Sequence, residues 1–197
     1  MKYLALLCLA LFAKIAQCSE PPKRISFGVS ETKPNGATIG GSFVAGETES
    51  WKYTRSRSGV EAFNREPIAS AEFQIEAYLI REDHPFESIQ KKMELISKNI
   101  EEGYAQSPKW QKVHINLTPE IGKPRCMRGE VLLREKTSVS DADANYSEQF
   151  FISCALEKRA PFGVEVRYYH RYKGASRNNE FTKRATLLLN SVEINDR

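Results

Sequence analysis

The chain has 197 residues, of which 29 are Lys or Arg and 25 are Asp or Glu, giving a formal net charge of +4. That length suits one domain with a sizeable core, and two of the lysines, Lys2 and Lys14, belong to an opening apolar segment, so the remainder carries only +2. A balance so close to neutral implies no nucleic-acid partner, and no motif calls for a cofactor.

The opening segment sets the expected compartment. Lys2 precedes an apolar run over residues 3–13, which is followed by Ala16-Gln17-Cys18 and the polar Ser19-Glu20-Pro21-Pro22. About 11 apolar residues are too few to span a bilayer, which takes roughly 20, and the order of charge and apolar run is that of a secretory signal over residues 1–18. The expected location is therefore periplasmic or secreted. Two processing routes fit the same residues. Cleavage after Cys18 would place the small Ala16 and Cys18 where a signal peptidase checks. Alternatively, Ile15-Ala16-Gln17-Cys18 resembles the lipobox of bacterial lipoproteins, with Gln17 where that motif has Gly, Ala or Ser, and a lipidated Cys18 would anchor the protein to a membrane.

Residues 19–65 read as a polar N-terminal arm punctuated by Pro34-Asn35-Gly36 and Gly40-Gly41, with short strands over residues 25–29, 38–44 and 51–53. Residues 66–197 read as the main domain. Its first element is the strand over residues 71–80, where Phe73, Ile75, Ala77 and Leu79 oppose Glu72, Gln74 and Glu76. Asp83 is then expected to cap a helix with Pro85 in its first turn. Phe86, Ile89, Met93, Ile96 and Ile100 form its apolar stripe, Glu87, Lys91, Glu94, Lys98 and Glu101 face away, and Gly103 supplies the stop.

Strands follow over residues 110–117, 126–136, 147–158 and 163–173, with a turn at Gly174-Ala175-Ser176-Arg177. Asn178 or Asn179 is expected to cap a last helix whose buried stripe is Phe181, Ala185, Leu188 and Val192, widened by Leu187 and Leu189. The order of elements describes an antiparallel β-sheet covered by two main helices, an α+β domain.

Cys8 leaves with the signal and Cys18 is removed or lipidated, so Cys126 and Cys154 are expected to pair as a disulfide in an oxidising compartment. They flank a hairpin whose loop is Thr137-Ser138-Val139-Ser140-Asp141-Ala142-Asp143, and both are equidistant from Ser140, so the thiols can face each other across antiparallel strands. Their strands disagree in polarity. Cys154 alternates with Phe150, Ile152 and Leu156, whereas Cys126 alternates with Arg128, Glu130 and Arg134. A bulge at Gly129 is expected to resolve this by moving Cys126 to the side of Val131 and Leu133.

The helix after residues 73–80, the strand run through Cys154 and Tyr168, and the closing Phe181-Thr182-Lys183-Arg184-Ala185-Thr186-Leu187-Leu188-Leu189-Asn190-Ser191-Val192 resemble the PsbP superfamily, which includes small exported bacterial lipoproteins. The resemblance covers residues 69–194. It implies a PsbP-like α/β sandwich that acts by docking onto other proteins, and it carries no functional residue to a numbered position.

Chemistry-bearing residues are sparse. Ser88-Ile89-Gln90-Lys91 matches the Ser-x-x-Lys of penicillin-interacting enzymes, but no Lys-Thr-Gly or Ser-Asp-Asn accompanies it. His84, His114 and His170 lack metal-ligand spacing, and no catalytic residue or metal site is assigned. Glu82 and Asp83 adjoin; Asp141 and Asp143 lie two apart without the glycine and distal glutamate of a calcium loop. Asn116-Leu117-Thr118 and Asn145-Tyr146-Ser147 are glycosylation triplets. Arg167, Tyr169, Arg171 and Lys173 share one face of a strand and read as a solvated surface patch rather than a polyanion site.

The expected function is a non-enzymatic binding domain whose partner is another envelope or secreted protein, docking through that patch or the loop over residues 137–143. The alternative is a small hydrolase or ligand carrier whose polar residues converge only in three dimensions. A pocket holding two of His84, His114 and His170 with a carboxylate would favour that alternative.

Overall fold

The computed structural model describes residues 23–30, 38–44, 51–55, 60–65, 72–82 and 85–196. The opening segment with Cys18, and the residues Asp83 and His84, lie outside them. In chain order the elements are β1 (Arg24–Ser30), β2 (Thr38–Val44), β3 (Trp51–Arg55), β4 (Val60–Arg65), β5 (Glu72–Arg81), α1 (Ile89–Ala105), β6 (Trp110–Pro119), β7 (Cys126–Glu135), β8 (Asn145–Ala155), β9 (Phe162–Lys173), α2 (Phe181–Asn190) and β10 (Glu193–Asn195). Among the described residues the architecture is α+β: a seven-stranded sheet in the order β3-β4-β5-β9-β8-β7-β6, a three-stranded sheet in the order β1-β2-β10, and two helices. Every strand pairing is antiparallel. No helix among the described residues is long and apolar enough to cross a membrane.

Strand alternation divides the large sheet into two faces. Ile75, Tyr168 and Phe150 stand in one cross-strand row and Ala77, Val166 and Ile152 in the next. This face buries itself against α2 and the small sheet, which contribute Phe181, Ala185, Leu188 and Leu189, and Phe27, Val29, Ile39 and Phe43. The short strands expected in residues 19–65 thus place their apolar side chains in the main core. On the opposite face Met127, Val131, Leu133 and Phe151 meet Ile89, Met93, Ile96 and Ile100 of α1. Four residues of the stripe read from the sequence pack here; the fifth, Phe86, precedes the helix and lies under the Arg125 guanidinium, whose carbon stands 4.3 Å from the ring centroid.

Cys126 and Cys154 face each other and form a disulfide. The expected bulge at Gly129 is absent. Pairing between β7 and β8 runs without interruption from Cys126↔Cys154 to Arg134↔Tyr146, so Cys126 keeps the side of Arg128 and Glu130. The polar neighbours need no parity shift because they lie at the margin of this face, where Arg128 pairs with Glu120 and donates to Asn190 Oδ1 at the end of α2 (2.7 Å). Gly129 answers a different need: a Cβ there would lie 2.1 Å from the ring of Phe151, which crosses β7 at that point. The register shift of the sheet falls instead in β6, between Lys112 and His114, and leaves Val113 half exposed at 51%.

The helix ends also differ from expectation. α1 begins after Ser88, whose extended backbone and side chain, accepting from the Lys91 N–H at 3.1 Å, make it the N-cap. Pro85 imitates a first-turn proline but precedes the helix. Gly103 lies within the last turn, and Gln106 is the C-cap. Before α2 the N-cap position is Glu180, and Asn178 Oδ1 accepts from its N–H at 2.9 Å, a side-chain turn just outside the helix. Leu189 is buried as expected, whereas Leu187 is 62% exposed.

Candidate functional site

α1 lies over β6 and β7 with one flank turned toward β5 and β9. On that flank Lys92, Leu95, Asn99 and Gly103 recur three or four apart, on successive turns. Between this flank and the sheet runs an open cleft of about 650 Å³, whose floor is Glu165 and Arg167 of β9. Pro85 and Phe86 border one end and Tyr104 and Ser107 the other.

The floor is a fixed, neutralised charge pair. Glu165 and Arg167 lie two apart on a strand, hence on the same face. Arg167 Nε donates to Glu165 Oε1 at 2.8 Å and Nη1 to Gln149 Oε1 at 2.9 Å. Its guanidinium carbon stands 4.7 Å from the Phe151 ring centroid and about 6 Å from those of Tyr169 and Tyr78. Burial works against its charge, but Glu165 first, then Tyr169 and Tyr104, outweigh it and hold the guanidinium pKa above its ordinary value. Burial likewise raises the Tyr169 phenol, opposed in part by Arg167. The Tyr169 hydroxyl lies 2.6 Å from that of Tyr78.

A second pair closes the end near Phe86. Lys92, only 6% exposed, forms an ion pair with Glu82. Gly163 makes the room: a Cβ there would stand 2.9 Å from Glu82 Oε1 and 2.8 Å from the Cys154 carbonyl oxygen. Glu82 is also held through its backbone, whose N–H donates to the Pro161 carbonyl at 2.7 Å. The two serine hydroxyls in the lining are occupied, Ser88 Oγ by the Lys91 N–H and Ser107 Oγ by the Trp110 N–H (3.0 Å). The Ser-x-x-Lys match is therefore a helix cap.

The structure separates the residues that the sequence suggested. Of the strand patch, Arg167 and Tyr169 are drawn into the cleft floor and its surroundings, while Arg171 and Lys173 reach solvent. Lys173 instead meets the hairpin loop, with Nζ 3.5 Å from Asp143 Oδ1. Asp143 is held below the usual carboxylate range by the Ser140 hydroxyl and then by Lys173. Asp141 pairs with Arg134 at 2.9 Å.

The histidines do not converge. His114 is exposed on edge strand β6, His84 lies outside the described residues, and His170 is fully buried on the α2 face, stacked on Phe73 at 4.6 Å. Neither His170 ring nitrogen has a hydrogen-bond partner among the described residues. No group of three or more His, Cys, Asp or Glu there is placed to hold a metal. Of the glycosylation triplets, Asn116 and Thr118 are exposed on β6, whereas Ser147 is buried.

The residues that sequence reading passed over are Lys92, Glu165 and the inward role of Arg167. Two signals existed: a lysine beside the apolar stripe of α1, and opposite charges at i and i+2 on an otherwise apolar strand. No known family model matches the chain, and no curated protein matches it significantly.

Proposed function

We propose that this protein is a non-enzymatic binding domain that works outside the cytoplasm, with the cleft beneath α1 as its recognition site. The observation that carries the reading is the cleft itself. Its volume of about 650 Å³ falls within the roughly 300–1,000 Å³ of small-ligand sites. Its charged floor is paired, its two serine hydroxyls are engaged, and its described lining contains no histidine or cysteine. What it offers a guest is shape, apolar area and fixed charge. The apolar run over residues 3–13 supports export, and the strand and helix order is in keeping with a PsbP-like sandwich.

Native mass spectrometry of the protein isolated from its producing cells tests the reading. A non-covalent adduct is expected on the native protein and not on a Gly103→Phe variant of unchanged melting temperature, because nothing lies within 4 Å of a Cβ built at Gly103, so the backbone tolerates the substitution, and a ring at this lining position would occupy the cleft. Adduct-free protein in both cases would overturn it.

A second reading is favoured by the β7–β8 hairpin tip. Val139 is fully exposed there, beside the Lys173–Asp143 contact, so the loop and the outer part of the strand patch form one end of the molecule. That end suits docking onto another envelope or secreted protein, with Cys18 as a membrane anchor if lipidated. Crosslinking from position 139 to one stoichiometric partner is the expected result; loss of no partner on Val139→Asp would count against it.

A further inference from the structure

The charges of the cleft are unevenly disposed. Glu82 cancels Lys92 and Glu165 cancels Arg167. Arg81 and Lys91, each adjoining a member of the Glu82–Lys92 pair, line the same end and have no ionic partner among the described residues; Glu87 is the one unpaired carboxylate opposing them. Farther along α1 the lining turns apolar at Leu95, Ile96 and Ile100. At Gly103 the trough has open space, with nothing within 4 Å of a Cβ built there, and Tyr104 and Ser107 border its far end.

We infer that the cleft binds a single-chain amphipathic anion, a free carboxylate with an apolar tail, its head at Arg81 and Lys91 and its tail along Leu95, Ile96 and Ile100. The inference rests on the cleft being the recognition site. The physical argument is complementarity at both ends. A tail laid over these helix residues removes apolar surface from water without displacing a polar partner, and a carboxylate at the rim meets two cations that can donate charge-assisted hydrogen bonds. The buried Glu165–Arg167 and Glu82–Lys92 pairs stay satisfied, so the guest leaves no charge stranded. A cationic head would face both free cations.

The test uses dodecanoate and dodecyltrimethylammonium, both below their micellar concentrations, titrated into the protein as its cells process it. Dodecanoate is expected to bind saturably at one site, at least tenfold tighter than the cation of equal tail, and to move the methyl resonances of Leu95, Ile96 and Ile100. The double variant Arg81→Gln, Lys91→Gln should weaken dodecanoate about tenfold with no change in melting temperature, and Gly103→Phe should abolish it. Equal affinity for the two head groups, or shifts confined to other methyls, would overturn the inference. A native adduct sensitive to Gly103→Phe combined with no dodecanoate binding would refute the ligand class alone; failure of both experiments would refute the site as well.

Discussion

His170 is fully buried against Phe73, Tyr172 and Phe181. Burial, then the charge of Arg177, lowers its pKa from the ordinary 6.5 to about 4. Between these values the unfolded chain takes up a proton that the folded chain refuses, so stability rises with pH across that window and is level above it. At about 1.4 kcal/mol per unit, the loss from pH 7.5 is about 2 kcal/mol at pH 5 and about 3 kcal/mol at pH 4. Other groups also titrate, so the comparison is with His170→Phe, which keeps an aromatic ring in the stack and cannot be protonated. Urea unfolding followed by tryptophan fluorescence at pH 7.5, 6 and 5 gives both curves. The wild type should lose about 2 kcal/mol more than the variant between pH 7.5 and 5. Equal losses would refute the assignment of a buried, neutral imidazole.

Gly129→Ala forces a methyl into the Phe151 ring and should lower the unfolding free energy by about 1–3 kcal/mol, measured by denaturant melts; a neutral result would mean that the ring is free to move aside. Replacing both Cys126 and Cys154 by Ser removes the cross-link of a loop of 28-residue separation and should cost about 3.5 kcal/mol on the chain-entropy account, read from the shift in midpoint at constant slope. Lys92→Met leaves Glu82 partly buried without its partner and should cost about 2–3 kcal/mol. The double variant Lys92→Met, Glu82→Gln should recover at least half of that, and additive losses in the double-mutant cycle would show the pair to be uncoupled.

Much of the sheet was legible from its apolar patterning: β5 and β7 alternate buried with part-buried residues, while β8 and β9 are buried almost throughout. Residues 71–80 and the four strands from Trp110 to Lys173 differ from β5 to β9 by only a few positions at the ends. β4 escaped notice because Val-Glu-Ala-Phe-Asn-Arg does not alternate cleanly, and Ala62 and Phe63 are buried side by side. β10, three residues long, exists through its pairing with β2, a partner some 150 positions away that no local pattern reveals. Asp83 followed by Pro85 offers cap and first-turn chemistry in sequence, whereas α1 begins after Ser88, whose Oγ accepts from the Lys91 N–H. Alternation put Arg167 and Tyr169 on the correct face of β9 but could not say what lay over it. The cleft itself depends on pairs drawn from separate elements, Glu82 with Lys92 and Gln149 with Arg167. Each residue alone reads as an ordinary solvated polar group.

β6 ends the large sheet, so one row of its backbone groups is free to template another chain. The irregularity between Lys112 and His114 breaks that row near its middle, and Pro119 removes a donor at its end. An incoming strand could match only a few hydrogen bonds before losing step. That edge of the sheet therefore resists extension by a second copy of the chain.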